Sequence, residues 1–141
     1  MIPNGNQWTT GELSNDGDPV LIRHRLELAQ VPDPEHDLLA ILTHHFDVVQ
    51  ANGLPEATYN ETLQTLDQAV INTLEQGGGD MVVLIETCHG KRHYYAYVKG
   101  YEAVGKRVHR LIAENPTHVL SYRAARDAER SFVRHYLQMI P

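Results

Sequence analysis

Between residues 37 and 123 the spacing of apolar residues changes from two to 3.6 and back again, twice. A period of two lines one face of a strand, and a period of 3.6 lines one stripe of a helix, so this alternation admits few folds. Residues 37–48 read as a strand apolar enough to lie inside a sheet. Thr58-Tyr59-Asn60-Glu61 has the pattern of a capping box and opens a helix to about residue 76, which Gly77-Gly78-Gly79 terminates. Residues 81–88 and 92–98 form two strands joined at His89-Gly90. Residues 101–114 form a second helix ended by Asn115-Pro116, and 118–123 a last strand. The order β-α-β-β-α-β predicts an α+β fold, the ferredoxin-like split βαβ, with an antiparallel sheet and its helices on one face.

This core covers residues 37–124, within a single domain of 141 residues. Ahead of it, residues 1–30 hold an N-terminal β-hairpin turning at Asn15-Asp16-Gly17-Asp18. In its second strand Val20, Ile22, His24, Leu26 and Leu28 face one way, and Arg23, Arg25 and Glu27 the other. After the core, residues 127–141 read as a C-terminal helix capped by Asp127, with Phe132, Val133, Tyr136, Leu137 and Ile140 on its apolar arc.

Several function classes drop out. The longest apolar runs are five residues, against the roughly 20 a membrane span needs. No signal-peptide pattern opens the chain, and the single cysteine, Cys88, rules out an internal disulfide. Together these point to the cytoplasm. No nucleotide-binding, hydrolase or zinc-protease motif is present, so no cofactor is expected. Residues 1–80 carry 13 acids and two bases; residues 81–141 carry five acids and ten bases. The simplest reading is that the halves interleave and neutralise each other. The net charge of −6 argues against nucleic acid as a partner.

The hairpin at His89-Gly90 is the most informative stretch. A two-residue loop pairs Cys88 with Lys91, Thr87 with Arg92, Glu86 with His93 and Leu84 with Tyr95. One face then holds Met81, Val83, Ile85, Tyr94, Ala96 and Val98; the other holds Val82, Leu84, Glu86, Cys88, Lys91, His93, Tyr95 and Tyr97. Cys88, His93 and Glu86 on one face are the ingredients of a thiolate nucleophile. The plainer alternative is a cross-strand ion pair beside a half-buried thiol. Tyr95 and Tyr97 stack RNA bases, anchor a protein partner or pack under the extra helix.

The chain has nine histidines. His44 or His45 with His93 and Glu86 would be a metal site, but His44 and His45 point to opposite faces, and no metal is expected. A high histidine count does suggest pH sensitivity. Arg130 and Arg134 border the last apolar arc as a docking strip or as snorkelling stems. The acidic stretch Asp33-Pro34-Glu35-His36-Asp37 reads as a solvated loop.

Trp8, Asn52-Gly53-Leu54-Pro55 and Thr87-x-x-Gly90-x-Arg92, followed by Tyr94 and Tyr95, together resemble a bacterial family known as domain of unknown function 695. The similarity spans nearly the whole chain. Where members carry Asp-Pro-x-Trp, this chain has Asp127-Ala128-Glu129-Arg130. The family is similar in turn to small bacterial regulators that inhibit ribonuclease E, the ribonuclease E inhibitor B family. The resemblance implies a regulatory, protein-binding role and no catalytic residues. The expected binding surface is Trp8, Thr87, His89, Arg92, Tyr95 and Tyr97, with a protein partner or a second copy of the chain as its occupant.

Overall fold

Two hairpins and two crossovers build the sheet. In the computed structural model, which describes residues 8–25 and 35–139, β1 (Trp8–Asn15) and β2 (Asp18–Arg25) turn on Asp16 and Gly17, at φ 54° and 87°. β4 (Met81–Cys88) and β5 (Lys91–Val98) turn on His89 and Gly90, at φ 51° and 77°. Both are two-residue loops with two left-handed residues, the geometry that matches strand twist. β3 (Leu38–His45) precedes the helices α1 (Ala57–Thr62) and α2 (Gln64–Leu74). α3 (Tyr101–Glu114), β6 (Val119–Arg126) and α4 (Ser131–Met139) follow β5. The six strands form one antiparallel sheet in the order β1-β2-β4-β5-β3-β6, so β3 is internal and the hairpin extends the sheet beyond β4. The expected pairings Cys88 with Lys91, Thr87 with Arg92, Glu86 with His93 and Leu84 with Tyr95 are all present.

Both faces of the sheet are covered. Leu66, Val70, Ile71 and Leu74 of α2 and Val104, Val108 and Leu111 of α3 pack on Ala40, Leu42, Val82, Ile85, Tyr94 and Ala96. Val133 and Tyr136 of α4 close the other face over Val20, Ile22, Val83, Leu84, Tyr95 and Tyr97. The core helices share one face, as the alternation predicts, and the C-terminal helix takes the opposite one. The side chains of Leu137 and Ile140 lie outside the described residues, as do Leu26, Glu27 and Leu28.

The structure corrects four local expectations. A bulge between Val82 and Leu84 puts Val83 and Leu84 on the same face, so Val82 belongs under α2 and α3, and Met81 and Val83 under α4. Glu56, not Thr58, caps α1: its carboxylate accepts the Thr58 N–H at 2.6 Å. The helix over 58–76 is interrupted at Leu63, which is buried, while α1 buries none of its residues. His36 is not solvated; it is 3% exposed, and Nε2 lies 2.9 Å from the Gly78 carbonyl oxygen and 3.4 Å from Asp80.

The acidic and basic parts of the sequence do interleave. Asp67 meets Arg92, Asp80 meets Arg107, Glu35 meets Lys99 and Asp37 meets Arg126.

The loop after β3 docks on the β4–β5 turn through backbone hydrogen bonds. Gly90 N–H donates to Gly53 O at 2.7 Å, and Phe46 N–H donates to Gly90 O at 2.9 Å. A Cβ on Gly53 would lie 2.8 Å from the His89 nitrogen, and Gly53 sits at φ +87°. Gly53→Ala is therefore expected to destabilise the fold by about 1–3 kcal/mol. A lower urea midpoint at unchanged slope checks this.

Candidate functional site

The expected binding residues do not form one surface. Tyr95 and Tyr97 are buried beneath α4, so the open aromatic face that would stack bases or grip a partner does not exist. Tyr95 stacks on Phe132 with ring centroids 4.3 Å apart, and the Tyr97 hydroxyl donates to Asp127 at 2.7 Å. Asp127 also accepts the Ser131 and Phe132 N–H groups, which caps α4 as expected. Arg130 is no docking strip: its guanidinium lies 4.8 Å over the Tyr97 ring, and it is 9% exposed. Trp8 belongs to the opposite face, at the far edge of the sheet, against the Arg25 guanidinium at 4.4 Å. His89 stands at its turn, 3.7 Å from Asp18.

Cys88, Glu86 and His93 share a face, but not as a nucleophile. The thiol is 8% exposed and points to Glu86 at 3.9 Å. Burial, followed by the charge of that carboxylate, pushes the Cys88 thiol up to about 11, the reverse of what a thiolate needs. His93 Nδ1 is engaged by the Thr43 hydroxyl at 2.8 Å, and the thiol's hydrogen bond goes to Glu86 and not to the ring. The other oxygen of Glu86 accepts from the Tyr136 hydroxyl, which ties α4 to the sheet. Burial lowers the His93 ring below the usual imidazole range. Among the described residues, no group of three or more His, Cys, Asp or Glu is gathered to hold a metal ion.

Thr87 and Arg92 lie on the α2 side. Arg92 Nε donates to Thr87 Oγ1 at 2.9 Å and Nη2 to Asn60 Oδ1 at 2.9 Å, with Nη1 3.7 Å from Asp67. Asp67 accepts both ends of the Arg23 fork, at 2.7 and 3.1 Å, and the Tyr94 hydroxyl at 2.6 Å. Burial raises the Asp67 carboxyl, and these donors outweigh it and hold the group below its ordinary value. Sequence reading missed Asp67, because its partners lie 25 to 44 residues away.

Another site lies between α3 and β6. β6 pairs with β3 along one side, and among the described residues nothing pairs with its other side. A groove of about 390 Å³ runs beside this edge, lined by Tyr101, Glu102, Lys106, His109, Tyr122 and Arg123. Gly105 also lines it, and a Cβ there would meet nothing within 4 Å. Glycine inside a helix costs about 1 kcal/mol relative to alanine, and its use here leaves room for close approach of another backbone. Tyr122 Oη is buried without a partner, and Tyr101 is 60% exposed. Lys106, Arg123 and the largely exposed Arg126 make this side basic on a chain of net charge −6. The signal in sequence is slight: a glycine within α3 and two arginines, Arg123 and Arg126, in the last strand.

No helix among the described residues is long and apolar enough to cross a membrane. Comparison with curated proteins and with solved structures finds no match. The family profile that matches runs over residues 6–138, so it takes in both hairpins, the docked glycine loop and the β6 edge: the chain belongs to the family of unknown function DUF695.

Proposed function

We propose that this chain is a cytoplasmic regulatory or inhibitory domain that binds a protein partner along β6. The observation that carries the proposal is the open eight-residue edge beside a groove whose helix presents Gly105. An extended segment added to that edge gains main-chain hydrogen bonds, and the groove takes its side chains. The basic rim of Lys106, Arg123 and Arg126 suits an acidic segment. Tyr122 Oη waits for an acceptor. The strand order, in which β5 separates β3 from β4, supports a ferredoxin-like core. That core and the acidic net charge support a likeness to inhibitors of ribonucleases.

The test compares the wild-type chain with an Arg123→Glu, Arg126→Glu, Tyr101→Ala triple variant, all exposed positions, in pull-downs from nuclease-treated host lysate at physiological salt. A protein retained by the wild type and lost by the variant supports the reading. A protein retained equally by both, or none retained by either, rejects it. Loss of the captured protein on nuclease treatment would point to nucleic acid instead and also reject it.

A further inference from the structure

We propose a second binding site, for the phosphate group of a small metabolite, in the cavity between α2 and the β2–β4–β5 part of the sheet. This goes beyond the partner-binding role of β6 and does not depend on it. The cavity measures about 370 Å³, within the range of small-ligand pockets. Arg23, Arg92 and Asp67 line it with Asn60, Gln64 and Gln68, and Leu63 supplies an apolar wall. Its charges do not balance: two guanidiniums share the one carboxylate. Arg92 is 8% exposed, and a cation held away from water calls for an anion nearby.

Both guanidiniums are already held at the cavity wall by their neighbours. Arg92 is fixed by Thr87 and Asn60, and Arg23 by Asp67, so neither has far to move. Asn60 spends its Oδ1 on Arg92, which leaves its Nδ2 as a donor beside the cavity. Gln64 is exposed on the rim and adds another amide donor. Guanidinium and amide N–H groups lining one cavity are the chemistry that recognises an oxyanion, and a phosphate there exchanges with Asp67 for the N–H groups of Arg23. The cavity exceeds a bare phosphate ion, which leaves space for the organic part of an ester beside Gln64 and Gln68.

The full chain is titrated with inorganic phosphate and, separately, with glucose 6-phosphate, at ionic strength held constant with chloride. Binding is read from the side-chain NMR signals of Arg23, Asn60 and Gln64. Saturable shifts at these three groups are expected, tighter for the ester than for the ion. Arg23→Gln is expected to weaken binding about tenfold, and Gln64→Ala, at an exposed position, by about threefold. Equal affinity for ion and ester overturns the metabolite assignment in favour of free phosphate. Absence of saturable shifts at millimolar ligand overturns the site altogether, as does unchanged affinity in Gln64→Ala together with Arg23→Gln. Should Arg23→Gln not fold, Gln64→Ala decides alone.

Discussion

Asp67→Ala is expected to lower the free energy of unfolding by about 3–5 kcal/mol. The carboxylate accepts from Arg23 and Tyr94 and faces Arg92, and its side chain is 15% exposed. Its removal leaves two guanidiniums and a hydroxyl, on strands β2 and β5, without their common acceptor. α2 then loses the polar tie at its N-terminal half and keeps its apolar stripe and the Glu75 contacts to Arg25 and the Val82 N–H at its C-terminal end. Urea unfolding of the variant measures the loss. Arg126→Ala makes the comparison: Arg126 is 76% exposed at 3.5 Å from Asp37, and such pairs contribute less than about 1 kcal/mol. If the two substitutions cost the same, Asp67 does not anchor α2.

Acidification is expected to cost about 3 kcal/mol between pH 6.5 and 4, through His44. The ring is 1% exposed, and neither nitrogen has a hydrogen-bond partner. Burial first, and then the nearby His118 and Arg92, lower it to about 4; Asp47 opposes them weakly. An unfolded histidine titrates near 6.5, so below that pH the unfolded chain binds a proton that the folded chain refuses. Stability is therefore intact above about pH 6.5 and falls as the pH drops toward 4. The lowered His93 acts in the same direction. Unfolding midpoints across this range, for the wild type and His44→Leu, give the check. The variant should lose most of the slope. An unchanged slope would place the acid sensitivity elsewhere.

The parts of this fold that were legible in sequence are those decided by neighbours in the chain. The register of β4 on β5 followed from a two-residue loop ending in Gly90, and α3 was bounded correctly at Tyr101 and Glu114. The bulge at Val83 was not legible, because Val82, Val83 and Leu84 are all apolar and any of them suits either buried face. Sequence allows a covering of Tyr95 and Tyr97 by the extra helix without fixing it, since the face chosen by α4 depends on Asp127, Phe132 and Tyr136 meeting residues 30 to 50 positions earlier. The Cys88, Glu86 and His93 triad was placed correctly on one face. Its chemistry depended on Thr43 and Tyr136, which arrive from other elements. The resemblance motifs at Asn52-Gly53-Leu54-Pro55 and Gly90 turned out to be two sides of one backbone contact.

The internal position of β3 governs when this protein can fold as it is made. Its partners are strands synthesised much later: Leu38 pairs with Val98 on one side and with Arg126 on the other. Translation proceeds at roughly 5–20 residues per second. The Leu-Leu-Ala-Ile-Leu run of β3 therefore leaves the ribosome seconds before either neighbour, with both edges open. Its early local hairpin, β1 with β2, gives it no shelter, because that hairpin joins the sheet through β4. The nascent chain is thus a ready substrate for chaperones until β5 is complete, and the slow step of folding is long-range strand pairing rather than helix formation.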